Sequence, residues 1–357
     1  MGYTDMKFYA NLVALLMCLT SVAQANTTCP EPNTLVYPLG KLIEREALTL
    51  EFDFDQTANP EFGTQAYVEQ RHDTVLANLA GKSPAEQDAL LLGRLSWSTK
   101  GTIPLLGITA FAEAGLFDTY LDVLERHDMR THAAALKTVR AAFPNWDTTA
   151  DERYKQWNSG SQQLDPVLDA ALRAQSWVFV NAQPTLLDKA EDILNGDPVY
   201  ESYLVKRDQA DTYELHTYMM QTISNCIQRY DTPRTADEAL ASVPQTIADL
   251  YVVDLFLLEN GNGGMHQYIF NSTGALAPNL SDVMTRWGLF DQAQSVQEAM
   301  AHFPTPYPRE TQTRRAIMAE FSSTTDNALN SGTWIGDDMG IWDKVQEIAI
   351  REGYWPQ

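Results

Sequence analysis

Two segments of the sequence are related to each other at a constant offset of 160 residues. Pro84–Pro144 aligns with Pro244–Pro304 without a gap, and twelve of the 61 aligned pairs are identical. Unrelated segments of ordinary composition would share about four identities. The offset therefore predicts two diverged copies of one helical unit. The alternative is two unrelated amphipathic stretches that share the helical period.

A phenylalanine followed by a proline closes both copies. Phe143 and Phe303 each end an apolar-periodic stretch just before a proline. A proline disfavours helical geometry in the residue that precedes it, so both stretches should end there. We expect the two phenylalanines to take equivalent buried positions at the end of each unit.

Helix signals dominate the rest of the chain. Ser83-Pro84 and Asp165-Pro166 each place a capping side chain before a proline at the first helical position, which predicts helices from these points. The best strand signal is the alternation of apolar and polar residues over Leu48–Asp55. We therefore expect an all-α fold of two related helical units in tandem, with at most one short strand or hairpin near residues 48–55.

Four segments follow from these patterns. They are a signal peptide at 1–25, an N-terminal helical unit at 26–160, a connecting helical segment at 161–234 and a C-terminal helical domain at 235–357.

The first 25 residues have the features of a cleaved export signal. Lys7 precedes the apolar run Leu12–Leu19, and Ala23-Gln24-Ala25 gives the small-x-small pattern of a cleavage site. The run is shorter than the ~20 apolar residues that span a bilayer. We expect a protein exported to the periplasm or the extracellular space, without membrane insertion.

Two cysteines follow the predicted cleavage site, Cys29 and Cys226. Disulfides form and persist in oxidising compartments, and an even cysteine count suits a single bridge. The sequence therefore predicts a Cys29–Cys226 disulfide. The alternative is a buried thiol at Cys226 and an unpaired Cys29.

The formal net charge of -22 limits the classes of partner. Like charges repel, which argues against direct binding of nucleic acid, anionic ligands or membrane surfaces and favours a basic protein surface as the partner. The alternative is that the acidity serves only solubility.

An apolar helix that runs into a glycine cluster marks the C-terminal third. The helix ends at Leu255–Glu259, and the sequence Asn-Gly-Asn-Gly-Gly follows. Gly263 and Gly264 would let one helix end and the next begin with close backbone approach. Met265, Tyr268 and Ile269 then form an apolar face at helical spacing. The alternative to a structural role is a binding site, for which the candidates are Asn262, His266, Gln267 and Asn271.

The same stretch resembles a bacterial domain family whose named member is a dimeric DNA-mimic protein. The resemblance rests on the residues Asn262–Gly274, on the helix before them and on Gly288-Leu289-Phe290, and it covers about residues 235–355. Met265 stands where the family usually has an aromatic residue. The resemblance implies a helical domain, mimicry of DNA toward a DNA-binding protein as one function, and a homodimer as one assembly.

No catalytic motif accompanies these features. The six histidines form no H-E-x-x-H pattern, and no nucleophile elbow or phosphate-binding loop is present. We predict no catalytic residues, no metal site and no cofactor. The predicted function is an exported, acidic, non-catalytic binding protein. The alternatives are a hydrolase-like enzyme that uses carboxylates in a cleft between the units, and a nucleic-acid mimic.

Overall fold

Helices account for nearly all regular structure in the computed structural model, which describes residues 28–51, 64–158, 164–329 and 339–356. These residues contain no β-sheet, which confirms the all-α fold. The helices are α1 (Leu39–Thr49), α2 (Gln65–Leu79), α3 (Pro84–Ser98), α4 (Pro104–Ala110), α5 (Phe117–Arg126), α6 (Arg130–Ala142), α7 (Ala150–Trp157), α8 (Pro166–Val180), α9 (Leu186–Leu194), α10 (Tyr200–Arg207), α11 (Thr212–Cys226), α12 (Pro233–Ala241), α13 (Gln245–Phe270), α14 (Ala277–Arg286), α15 (Phe290–Met300), α16 (Thr311–Met318), α17 (Ser323–Asn327) and α18 (Met339–Arg351). Short 3-10 helices span Ala112–Leu116 and Ser272–Leu276.

The expectation of a strand near residues 48–55 is wrong for Leu48 and Thr49, which form the end of α1. Buried residues recur in α1 at helical spacing, at Leu39, Leu42 and Ile43, so its apolar face fits a helix better than the short alternation fits a strand. Residues 52–55 lie outside the described residues.

The described residues divide into two compact units. The first comprises residues 38–210, and the second comprises residues 28–37 together with 211–356. Helices α8, α9 and α10 of the predicted connecting segment therefore belong to the first unit, and α11 belongs to the second.

The Cys29–Cys226 disulfide is present, as predicted. It joins the segment before α1 to the last residue of α11, so both cysteines lie in the second unit. Leu35 of the same segment is buried in the hydrophobic core of that unit, and Asn33 N–H donates to the carbonyl of Gly353. The bridge thus fixes a segment that also packs and hydrogen-bonds.

The two units repeat one order of elements at the offset of 160 residues. The corresponding pairs are α3 with the first part of α13, α4 with the last part of α13, the two 3-10 helices, α5 with α14, and α6 with α15. The turn after α5 has a positive φ at Asp128, and the turn after α14 has one at Gly288. Phe143 and Phe303, which close the repeats, are 5 % and 6 % exposed.

Candidate functional site

A backbone break divides α13 at the glycine cluster. Gly263 has φ -164° and ψ 28°, and Gly264 has φ 69° and ψ -168°. The conformation of Gly264 belongs to a region that essentially only glycine occupies. Gly263 is limited by space, because an added Cβ would lie 2.3 Å from Oε1 and 3.0 Å from Cβ of Gln267. Beyond the break, the predicted apolar face of Met265, Tyr268 and Ile269 is fully buried.

Glu259 connects the two halves of α13. Its Oε2 accepts hydrogen bonds from Nε2 of Gln267 at 3.1 Å and from Nδ2 of Asn271 at 2.7 Å. Its Oε1 accepts from Oγ1 of Thr273 at 3.1 Å. Two of the four predicted binding residues, Gln267 and Asn271, are therefore engaged within the chain.

Sequence reasoning missed Glu259, although a signal was available. It is the only charged residue between Asp254 and Asp282. A lone carboxylate at the edge of a long uncharged stretch needs polar partners if it is to be partly buried.

The other two predicted binding residues lie nearer the surface. Asn262 is exposed, and Nε2 of His266 lies 3.0 Å from Oδ1 of Asp326. The imidazole stacks on the ring of Phe270 at 6.0 Å between centroids, and the guanidinium of Arg315 lies 4.3 Å from the same ring. The histidine therefore has partners within its own unit.

A buried arginine caps the end of α13. Arg314 is fully buried, and its Nε donates to the carbonyl of Ile269 at 2.9 Å while Nη2 donates to that of Asn271 at 2.6 Å. In the first unit, Nε of Arg153 donates to the carbonyl of Thr109 at 2.6 Å, and Thr109 aligns with Ile269 at the 160-residue offset. The last carbonyls of a helix lack helical partners, and a cation there suits the helix dipole.

The arginines extend the repeat past its prolines, into α7 and α16. The offset between Arg153 and Arg314 is 161 residues, one more than in the gap-free alignment. An ungapped comparison of the sequence therefore could not pair them.

A shallow groove, largely open to solvent, lies along α15 on the surface of the second unit. Its lining includes Thr285, Phe290, Ala293, Gln294, Gln297 and Glu298. Phe290 is 66 % exposed, and Oε1 of Glu298 accepts a hydrogen bond from Nε2 of Gln294 at 2.8 Å.

Three exposed carboxylates lie on α14 and α15, those of Asp282, Asp291 and Glu298. No ion pair joins any of the three to a lysine or arginine of the described ranges. Arg286, the one basic residue of α14 and α15, instead pairs with the buried Asp249 of α13 at 2.5 Å. This helix pair therefore presents uncompensated negative charge beside an exposed aromatic ring.

Residues 241–338 match the model of the DMP19-like protein family. The match confirms the resemblance to the DNA-mimic domain family and includes the break in α13, α14 and α15. No curated protein and no solved structure matches the chain. We refer to residues 241–338 as the DMP19-like domain.

The corresponding helices of the first unit differ from the DMP19-like domain in their charges. On α6, Arg130, Lys137 and Arg140 occupy the positions that Phe290, Gln297 and Met300 occupy on α15. All three bases form ion pairs within the first unit, with Asp128, Glu125 and Asp118 respectively. The same helix pair is therefore compensated in one unit and acidic in the other.

A second titratable pair is buried beneath the surface of the second unit. Nε2 of His216 lies 3.7 Å from Oδ1 of Asp254, and the imidazole packs edge-on against Trp342 at 4.4 Å. Burial raises the pKa of Asp254 to about 7 and lowers the pKa of His216 to about 4. The position of Asp254 corresponds to Arg94 in the first unit, where Arg94 pairs with Glu113 at 2.6 Å.

Neither a metal centre nor a membrane segment is evident in the described ranges. No cluster of three or more histidine, cysteine or carboxylate side chains there could hold a metal ion. None of the helices in those ranges is long and apolar enough to cross a membrane.

Proposed function

We propose that this protein is a non-catalytic binding protein that presents the acidic surface of its DMP19-like domain to a basic protein. The observation that carries the proposal is the uncompensated carboxylates of Asp282, Asp291 and Glu298 on α14 and α15, within a net charge of -22. Charge of one sign on a surface attracts a partner of the other sign and raises the rate of encounter.

Any protein of the exported compartment with a surface rich in lysine and arginine fits this charge, and proteins that bind DNA are one class with such a surface. Such proteins carry lysine and arginine for contacts with phosphate, which supply much of their affinity. Carboxylates on a helix pair can occupy the same basic surface, so the acidic protein and DNA would compete for it. The match to the DMP19-like family supports this class of partner.

A defined basic protein tests the proposal. We expect core histones to bind the immobilised protein at low ionic strength, and we expect rising salt or added double-stranded DNA to release them. Histones with acetylated lysines, whose charge is reduced, form the matched control and should bind less. Histone binding that changes neither with salt concentration nor with lysine acetylation would contradict the proposal.

We also propose that the protein is exported. The basic and apolar N-terminal pattern supports export, as does the disulfide, since cytosolic thiols are generally kept reduced. Expression with and without residues 1–25, followed by fractionation and N-terminal sequencing, tests this. The expected mature protein begins at Asn26. A full-length protein that remains in the cytoplasm with residues 1–25 attached would contradict it.

A further inference from the structure

We propose that the groove along α15 is a docking site for an arginine-bearing segment of a basic protein. This inference rests on the proposed function and names the part of the acidic surface that makes the specific contact. Three observations carry it: the side chains that line the groove, the difference in charge between α15 and α6, and the absence of a basic partner for Glu298 in the described part of the chain.

The lining combines the groups that a guanidinium uses. Phe290, Ala293, Gln294 and Gln297 recur at helical spacing on α15 and lie on one side of it. One guanidinium can stack on the exposed ring of Phe290, and a second one from the same segment can donate to the carboxylate of Glu298, which lies about 12 Å further along α15. A lysine ammonium is a compact charge without a planar face for stacking, so arginine fits this lining better.

The first unit shows that the fold does not require such a surface. At the positions of Phe290, Gln297 and Met300 it carries Arg130, Lys137 and Arg140, all paired with nearby acids. The same two-helix scaffold is therefore stable with its charges balanced. At these three positions α15 carries no base, so its carboxylates stay uncompensated beside the 66 % exposed ring of Phe290, and this charge is complementary to a basic partner.

Glu298 is oriented for this contact. The hydrogen bond from Nε2 of Gln294 to Oε1 holds its carboxylate along α15, and no lysine or arginine in the described part of the chain pairs with it. Arginine and carboxylate can form two parallel hydrogen bonds, which gives geometric specificity as well as attraction.

The test uses the protein from Asn26 onward and fluorescein-labelled nona-arginine and nona-lysine peptides. Binding is followed by fluorescence anisotropy at low salt and near physiological salt. Phe290→Ala leaves the net charge unchanged, and Glu298→Gln removes one negative charge. Glu238→Gln is the control for net charge, because it removes one negative charge at an exposed position of α12, where the carboxylate pairs with Arg234. Unfolding curves establish that all variants are folded.

We expect Phe290→Ala and Glu298→Gln each to weaken nona-arginine binding about fivefold or more, and Glu238→Gln to change it less than twofold. Nona-lysine should bind more weakly and should not respond to Phe290→Ala. Gln297→Lys, which restores the residue of the first unit, should weaken both peptides.

Two outcomes would separate this inference from the proposed function. If the parent binds nona-arginine in a salt-dependent manner but Glu298→Gln and Glu238→Gln have equal effects, the groove is not the site and the acidic binding function stands. If the parent binds neither peptide at low salt, both the groove and the proposed function are wrong.

Discussion

At the scale of single residues, Gly264 has a backbone conformation that disfavours every other residue type. Its positive φ with an extended ψ is strained for any residue with a Cβ, at a cost on the order of 1–3 kcal/mol. We expect Gly264→Ala to lower the free energy of unfolding by about that amount. Gly261→Ala is the control, since no atom lies within 4 Å of the added Cβ and the residue is helical. Equal unfolding midpoints for the two variants would contradict this account.

His266 is a residue where we expect little effect on stability. Its contact with Asp326 is partly exposed, and even a charged pair at such a site contributes only about 0–1 kcal/mol. We expect His266→Ala to unfold within about 1 kcal/mol of the parent in urea, and to bind basic peptides as the parent does. A folded His266→Ala that has lost binding would instead place the site at the glycine cluster.

Asp254 should make stability depend on pH. Burial raises the pKa of this carboxyl from 3.8 to about 7 in the folded state, so the folded protein binds the proton more tightly than the unfolded chain does. The charged Asp254 lowers the free energy of unfolding. This loss of stability is absent below pH 3.8, increases between pH 3.8 and 7, and reaches its full size above pH 7. Asp254→Asn should therefore be more stable than the parent at pH 8, by an amount on the order of 1–4 kcal/mol.

The difference between Asp254→Asn and the parent should vanish near pH 4, which urea titrations at several pH values can measure. His216 faces Asp254, and its lowered pKa of about 4 leaves it neutral through most of this window. A parent that is more stable than Asp254→Asn at pH 8 would show that the two side chains form an ion pair instead.

At the scale of elements, the two halves of α13 depend on Glu259. Its carboxylate accepts hydrogen bonds from Gln267, Asn271 and Thr273. Glu259→Ala would leave those donors without this acceptor, which costs roughly 1–3 kcal/mol for each group that stays buried. We expect faster amide exchange over residues 265–270 and a lower unfolding midpoint. Glu298→Ala, at an exposed glutamate, is the control and should leave both unchanged.

The sequence predicted those features of α13 that depend on residues within one or two helical turns of each other. The break at Gly263 and Gly264 and the buried face after it follow from backbone freedom and helical spacing. The contacts of Arg314 join α16 to the end of α13, 45 residues earlier, so no local pattern contains them. The partners of Glu259 lie 8 to 14 residues away, across the break in α13, which is further than one helical turn reaches. Leu48 and Thr49 are helical and not a strand, because the apolar face of the eleven-residue α1 outweighs a short alternation of apolar and polar residues.

The candidate groove could not be predicted from the sequence, because it depends on which side chains are exposed. Exposed Phe290 and buried Phe303 are both phenylalanines near the ends of apolar-periodic stretches, and only packing tells them apart. The charge contrast between α6 and α15 was readable in the alignment of the two copies. The alignment alone does not show that the bases on α6 are compensated. That follows from their ion pairs, which involve residues on neighbouring turns and helices.

At the scale of the whole molecule, one covalent bond closes a loop that contains the entire first unit, because Cys29 and Cys226 are separated by 197 residues. If both units unfold together, the chain-entropy model gives about 5 kcal/mol of stabilisation from this closure. If the second unit unfolds while the first stays folded, only about 25 flexible residues remain in the loop, and the stabilisation falls to about 3–4 kcal/mol.

The double variant Cys29→Ser/Cys226→Ser should therefore lose about 3–5 kcal/mol of stability, and the loss should fall on the second unit. Hydrogen exchange measured by mass spectrometry separates the units, since peptides from α14 and α15 should exchange faster while peptides from α5 and α6 keep their protection. A reducing agent should reproduce the change in the parent and have no effect on the variant. Equal loss of protection in both units would mean that they unfold together. Unchanged protection throughout would mean that the packing of Leu35 and the hydrogen bond of Asn33 hold the segment before α1 in place without the disulfide.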